Sequence, residues 1–404
     1  MKGTMAAESL RERLEELLAE SGERAAERER NAFDEAAQGC ERRIVIYGSG
    51  GLGRRTLAGL RANGLEPLAF ADRNPACWDT SIEGVPVFSP ETAARRFGFD
   101  SAFVIAVWSP VVSAGIDSIR ADLAARGCRR IVPFTWLFWK YSQTFLPYYL
   151  WALPSLVHPQ REHVREAFEL LEGRRSRAEF IAQLQLRLTG NVAGLIPPER
   201  GVPYFPERLF SPRADEYFVD CGAYDGDTLC DLMVWTRGRY RGAMALEADP
   251  ANFAALRRRI QEDPNLKGRT CAIQAAVGRR RAKVRFRASG LASAAVSESG
   301  GIEVDSVSLD ECLADQSPTF IKMDIEGAEM DALEGASEVL RERAPLLAIC
   351  AYHTQGHLWQ IPLRIGRLMP AGRLSLRAHC MDGFDLVCYA VPPARAMHSA
   401  REDG

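Results

Sequence analysis

The stretch Val219–Asp231, VDCGAYDGDTLCD, decides how this chain is read. An apolar run, EYFVD at 216–220, enters a turn holding Gly222 and Gly226, and a helical pattern follows. Strand, glycine turn and helix in that order are the repeating unit of a parallel sheet, and the glycines let the backbone approach a ligand closely. Such turns commonly cradle phosphate. This one carries Asp220, Asp225, Asp227 and Asp231, which would repel it. The ligand expected here is cationic and lacks phosphate.

S-adenosylmethionine meets that description, with a sulfonium, an ammonium and one carboxylate that can meet N–H groups at the helix start. Glu247 closes the next apolar run in MALEADP at 244–250. An acid at that strand end accepts both hydroxyls of a ribose, and Glu247 is expected at an open rim. Further on, IKMDIEGAE at 321–329 ends another strand in Asp324, Glu326 and Gly327. Ligands of open α/β sheets sit outside the carboxyl ends of the strands, so Asp324 and Glu326 should share a rim with Asp220 and Glu247. Glu329 is expected only to favour the start of the following helix.

The same alternation occurs earlier. RIVIYG at 43–48, SGGLGRRTLAGLRANG at 49–64 and LEPLAFAD at 65–72 read as strand, glycine turn with helix, and strand. AFVIAVWS at 102–109 and RRIVPFTW at 129–136 add two more strands. The fold expected is therefore α/β, with two doubly wound Rossmann-like domains, the second ending in an antiparallel edge hairpin formed by RLSLRAHC and DLVCYAVP. The segments are an N-terminal helical part over 1–40, a Rossmann-like domain over 41–138, an aromatic-rich helical linker over 139–200 and a second domain over 201–395. In the first segment, an amphipathic helix carrying Leu10, Leu14, Leu17 and Leu18 precedes a charged stretch. The aromatic run from Trp136 is expected to pack between domains, with a lid or an oligomer surface as alternatives. The last ten or so residues are expected to fray.

The first glycine turn, YGSGGLGRR, holds Gly48, Gly50 and Gly53, no acid, and two arginines directly after it, with Asp72 ending the next strand. It suits a pyrophosphate, so a nucleotide or nucleotide sugar is one expectation for the first domain. The other is a scaffold whose glycines serve helix–strand packing.

At 404 residues, 47% apolar and 26% charged, the chain has the composition of a globular protein. A net charge of −2 favours neither nucleic acid nor an anionic membrane. The basic run GRRRAKVRFR from Gly278 reads as a solvated hairpin face. No stretch has the roughly 20 apolar residues needed to span a bilayer. The ten cysteines include no CxxC pair and no secretory signal is seen, so a cytoplasmic protein with free thiols is expected, acting on a small-molecule or glycan acceptor and possible as a homo-oligomer.

FVDCGAYDGDT, LEADP, AAVG, IKMDIEGAE and AYHTQGHLWQIP, in that order and spacing, resemble the FkbM-type group of class I S-adenosylmethionine-dependent methyltransferases over roughly residues 200–392. The resemblance implies a seven-stranded sheet with a reversed last strand. It also implies methyl transfer, often to a hydroxyl of a sugar or natural product. It maps donor binding onto Asp220, Gly222, Ala223, Tyr224, Asp225, Gly226 and Thr228, the ribose onto Glu247 and the adenine edge onto Ala276. Asp324 and Glu326 then stand beside the transferable methyl, and His353 matches the Tyr-His after the next strand. The part ahead of it resembles the Rossmann-like domain fused to some members, similar to nucleotide-sugar-binding modules.

Methyl transfer is an in-line displacement at an already activated carbon, and alignment alone can supply about 7–11 kcal/mol of the barrier. A hydroxyl acceptor must also lose a proton, and a placed base adds about 10²–10⁴-fold. Asp324 and His353 are the candidates, His353 by its ordinary pKa. No metal is expected. His353 and His357 lack a third ligand, and Gly356 between them disfavours the helix of a zinc motif. The competing readings are a nucleotide-sugar-binding protein with a non-catalytic second domain, and an NAD-dependent oxidoreductase using the first turn. The first domain has no Tyr-x-x-x-Lys pair for the latter.

Overall fold

The computed structural model describes residues 2–108, 115–288, 295–296 and 300–397. The chain opens with two helices, Lys2–Leu18 and Gly22–Ala37. The second was expected only as a charged stretch. Ser21 caps it by accepting from the Arg24 N–H, and Ala25, Phe33 and Ala37 supply a buried face among the charges.

Strands β1 (Ile44–Tyr47), β2 (Ala69–Ala71), β3 (Ser81–Ile82), β4 (Val85–Phe88), β5 (Ala102–Ile105) and β6 (Arg130–Pro133) form the first sheet in the order β3-β4-β2-β1-β5-β6. All its pairings are parallel except β3 with β4. The short β3–β4 pair had no strand expectation. The strand expected over 129–136 stops at Pro133, and a helix runs from Phe134 to Lys140. The aromatic run continues as a helix Ser142–Phe145 and an irregular stretch in which Tyr148 and Trp151 bond through their backbones.

The second sheet begins with β7 (Tyr217–Cys221), β8 (Gly242–Leu246) and β9 (Thr270–Ile273). The run CAIQAAVG at 271–278 reads as one strand by its apolar residues, but it divides after Ile273. Its second half, β10 (Ala276–Val277), joins β11 (Ala282–Arg287), β12 (Ala295–Val296) and β13 (Ile302–Val307) in a separate four-stranded sheet. The basic run lies in this sheet, with Lys283 against Asp305 at 2.9 Å and Arg281 against Glu311 at 2.8 Å. The chain then returns to the large sheet with β14 (Phe320–Met323), β15 (Leu346–Cys350), β16 (Arg373–Ala378) and β17 (Leu386–Val391), giving the order β16-β17-β15-β14-β7-β8-β9. The reversed strand is β17. It inserts between β15 and β16, antiparallel to both, so β16 forms the edge.

Progress from β7 runs outward through β8 to β9, and the return from β14 runs the other way. The strand order therefore reverses between β7 and β14, where a crevice opens at the carboxyl ends. One continuous apolar core includes Ile46 and Phe103 of the first sheet and Ile321 and Leu347 of the second. Between them runs the helix Gly173–Thr189, whose buried Arg187 donates to the carbonyls of Ala351 and Gln355 at 3.3 Å. Among the described residues no helix is long and apolar enough to cross a membrane. The expectation of a frayed end falls largely on 398–404, outside the described residues.

Candidate active site

A cavity of about 670 Å³ opens at the β7/β14 reversal. Its walls include Gly222, Tyr224 and Thr228 from the first quoted turn, Glu247 after β8, Ala276 in β10, and Asp324 and Glu326 after β14. Tyr149, Tyr204, Tyr352, Phe384 and Asp385 also line it.

The turn is built on close approach. Gly222 has φ +82°, and a Cβ there would stand 1.9 Å from the Asp324 carbonyl oxygen. Only glycine lets the loops after β7 and β14 meet this tightly. Beneath them, Lys322 lies in register with Asp220 on the neighbouring strand and reaches its Oδ1 at 2.8 Å and the Gly222 carbonyl at 2.7 Å. Both side chains are closed to solvent. Burial opposes the Lys322 charge, but Asp220 and Asp324 outweigh it and hold the ammonium protonated. Asp225 is engaged with Arg259, whose Nε also donates to the Asp225 carbonyl at 2.7 Å. The acid-rich turn is thus less negative than its composition suggests. Asp220, Ala223, Asp225 and Gly226 do not line the cavity, whereas Asp227 and Asp231 do.

Glu247 is not at an open rim. It is 7% exposed, and its two oxygens accept the N–H groups of Tyr224 at 2.9 Å and Asp249 at 2.8 Å. Burial raises its pKa, with those two N–H groups working in the other direction. It therefore fixes the turn to the end of β8 while facing the cavity.

Behind the cavity-lining Asp324 lies a buried acid–imidazole network. His353 Nδ1 lies 2.8 Å from Glu329 Oε1, and its Nε2 lies 3.2 Å from Asp324 Oδ1, close in charge terms but without hydrogen-bond alignment. Tyr204 donates to Asp324 Oδ2 at 2.7 Å. Burial alone would neutralise the imidazole, but Glu329 and Asp324 reverse that and raise its pKa well above the ordinary value. Burial would likewise raise Asp324. The adjacent His353 charge, with Lys322 and the Tyr204 hydroxyl, outweighs burial and holds it well below the carboxylate range. His353 is therefore an imidazolium between two carboxylates, which removes the ordinary-pKa argument for it as a base.

Asp324, Glu329 and His353 each offer a ligand atom within 4.8 Å of the others. The ring nitrogens, however, face the two carboxylates from opposite sides, which is an ion-pair arrangement. His357, 3.4 Å from Glu329, is pushed down to about 4 by burial and stays neutral.

Glu326 behaves differently. It adopts φ +55°, lines the cavity and has a side chain 15% exposed. Burial raises its pKa to about 7. The imidazolium opposes the rise, and Asp324 and Glu329 add to it. Among the three acids after β14, this one alone is raised towards neutrality, while Asp324 and Glu329 are lowered. Tyr149 from the linker is close enough for each to shift the other's titration.

In the first sheet, Gly48 and Gly53 pack the turn, since a Cβ on Gly53 would stand 1.9 Å from the Gly48 carbonyl oxygen. Gly50 faces open space. Asp72 accepts the Ser49 N–H at 2.7 Å and the Ser49 hydroxyl at 2.6 Å, so a carboxylate already holds the first N–H of the expected pyrophosphate cradle.

Sequence reading missed Lys322, Glu329, Tyr204 and Tyr149. A lysine inside the apolar run FIKM was a signal, because a buried ammonium requires a carboxylate partner. The two tyrosines lie in turn-rich or aromatic segments remote from the site and gave none.

Comparison with known proteins fits this geometry. Residues 220–368 match the family model of the Methyltransferase FkbM domain. That segment is similar to an FkbM methyltransferase domain. Its fold is that of the crystal structure of methyltransferase FkbM from Methylobacillus flagellatus, with a TM-score of 0.74 and 23% identity over 92% of this chain and 99% of that one. Much weaker is the likeness to Aeropyrum pernix fibrillarin in complex with S-adenosyl-L-methionine, at TM-score 0.29 and 10% identity over 44% of this chain and 67% of that one. No curated protein is significantly similar to the chain. Tyr149, Tyr204, Phe384 and Asp385 lie outside the matched FkbM domain and still line its cavity.

Proposed function

We propose that the chain is an S-adenosylmethionine-dependent O-methyltransferase acting on a hydroxyl of a sugar, glycan precursor or other natural product. The observation that carries this reading is the cavity at the β7/β14 reversal, with Glu247 on one wall and Asp324 and Glu326 on the other. Its size suits a ligand of nucleoside dimensions. Gly222, Tyr224, Thr228 and Glu247 would hold the donor's amino-acid and ribose parts, and Ala276 would border its base. The donor supplies a methyl group already activated on a sulfonium. Asp324, kept ionised by His353, contributes fixed negative charge beside it. Glu326 takes the acceptor's proton. Its raised pKa makes it a stronger base than Asp324, and enough of it is ionised at neutral pH.

The acceptor side is supported as a separate wall. Tyr149, Tyr352 and Phe384 present aromatic faces, and Asp385 and Glu326 present carboxylates. Flat faces with nearby acceptors suit a polyhydroxylated ring, whose C–H face stacks and whose hydroxyls donate. The proposed division into a methyltransferase domain over 201–395 and a Rossmann-like unit over 41–138 leaves the latter as support for this wall. Trp108, just past β5, packs on Phe384 at 4.6 Å and Tyr149 at 5.4 Å.

Calorimetric titration of the full chain with S-adenosylhomocysteine and with NAD tests the donor. Uptake of NAD and of neither donor form sinks the reading. Transfer of label from S-adenosylmethionine into a mixture of sugars and nucleotide sugars then tests the acceptor class.

A further inference from the structure

A second, larger cavity of about 1150 Å³ lies at the opposite end of the helix Asp227–Thr236. That ten-residue helix places it about 15 Å from the methyl cavity. Its walls are the Pro-rich segment 196–214, the helix end and part of helix Gly173–Thr189. Arg175, Arg200, Arg208, Arg213, Arg237 and Arg239 line it, against only Glu199 and Glu207 as acids. Glu199 is already held by Arg175 and Arg377, each at 3.3 Å. Arg213 is held by Asp215 at 2.7 Å. Among the described residues, Arg200, Arg208, Arg237 and Arg239 have no carboxylate partner. In a chain of net charge −2 this is a marked local excess of cations.

The helix dipole explains a cation at Arg237, which follows the helix C-terminus. It does not explain Arg200 and Arg208, which lie on the Pro-rich segment. A guanidinium can only donate. The four uncommitted arginines therefore ask for an acceptor. Trp235 also lines the cavity, its ring packed on Phe205 and Phe210. Phe205, Phe210 and the 71% exposed Val234 add apolar surface.

We propose that this cavity binds an organic diphosphate, with the guanidinium groups on the phosphates and the Trp235–Val234 side against the organic part. Arginine forks match phosphate oxygens in pairs, and several clustered forks favour a multiply charged head over a single carboxylate. The inference is independent of the methyl-transfer reading.

The test uses the full chain saturated with S-adenosylhomocysteine, at about 150 mM salt so that loose surface attraction is screened. Uridine diphosphate and inorganic pyrophosphate are titrated by calorimetry, with sulfate at matched ionic strength. Uridine diphosphate is chosen because it has no adenine to enter the donor cavity. Saturable uptake of both phosphates is expected, at least tenfold tighter than sulfate. R200E combined with R237E should weaken both at least tenfold and leave S-adenosylhomocysteine binding unchanged. V234E should weaken uridine diphosphate more than pyrophosphate. The absence of saturable uptake overturns the proposal, as does sulfate binding equally well. Undiminished uptake by the charge-reversed variant also overturns it, because the ligand would then sit elsewhere.

Discussion

Nδ1 of His353 lies 2.8 Å from Oε1 of Glu329, with both side chains closed to solvent. The pair anchors the loop after β15 to the start of the helix after β14, since Glu329 also accepts the Ile325 N–H at 3.0 Å. Glu329→Gln removes the imidazolium's nearest counter-charge. Breaking one partner of a buried pair costs about 3–5 kcal/mol, and Asp324 should keep this case near the lower end. The pH dependence follows from the directions of the shifts. The raised His353 stabilises fully below its ordinary 6.5 and less as pH climbs through its folded value. The depressed Glu329 stabilises above its ordinary 4.5 and less as pH falls. The stability lost in the variant, measured by denaturant unfolding, should therefore peak between those two values and shrink in alkali. A loss that does not change with pH would contradict the imidazolium.

Glu326→Gln should act in the opposite sense on stability. The fold holds a proton on Glu326 up to about 7, whereas the unfolded chain gives it up near 4.5. Native stability thus falls as pH rises between those values, by roughly 3 kcal/mol in full. The glutamine variant escapes that loss, so it should melt higher than the wild type at pH 8 and alike at pH 4. Turnover should drop about 10²–10⁴-fold with donor affinity retained, and the rise in wild-type rate through about pH 7 should vanish. Equal pH–rate profiles would remove Glu326 as the base.

The sheet and the rim were legible because buried parallel strands are continuous apolar runs, and the acids that end them break those runs. FVD, MALE and FIKMD all announce themselves in that way. The four-stranded sheet was legible only in part: AKVRFR in β11 and IEVD in β13 do alternate apolar with charged residues, but both strands are mostly exposed, and nothing local announces that β13 also pairs with β10. The electrostatics of the turn were misjudged for a related reason. Asp220 and Asp225 are neutralised by Lys322 and Arg259 at sequence separations of 102 and 34, and no local pattern reports such pairing. Tyr204 reaches Asp324 across 120 residues, from a segment readable only as turns.

Glu247→Ala should weaken donor binding and also destabilise the chain. Removing the carboxylate leaves the Tyr224 and Asp249 N–H groups without their acceptor, at about 1–3 kcal/mol each if water cannot replace it. Glu247→Gln separates the effects, because its single carbonyl oxygen can satisfy one N–H and its amide can satisfy neither. Thermal melts of the two variants should fall in the order Ala below Gln below wild type. Melts indistinguishable from wild type would mean that Glu247 stands at an open rim after all.

Tyr149 should govern the acceptor and leave the donor alone. It lies outside the matched FkbM domain, is held at φ +51°, and is buttressed by Trp108 and Phe384. Tyr149→Ala removes an aromatic face from the wall and a neighbour of Glu326. The acceptor KM should rise about tenfold, as expected for a stacking contact of about 1.4 kcal/mol, while the calorimetric affinity for S-adenosylhomocysteine stays put. Tyr149→Phe keeps the face and should recover most of the KM. Any change it leaves in the pH–rate profile reports the hydroxyl's influence on Glu326. Trp108→Ala, which alters no cavity-lining residue, should reproduce the KM effect in weaker form, because Tyr149 and Phe384 lose their shared support. If Tyr149→Ala instead weakens the donor and spares the acceptor, the walls of the cavity have been assigned the wrong way round.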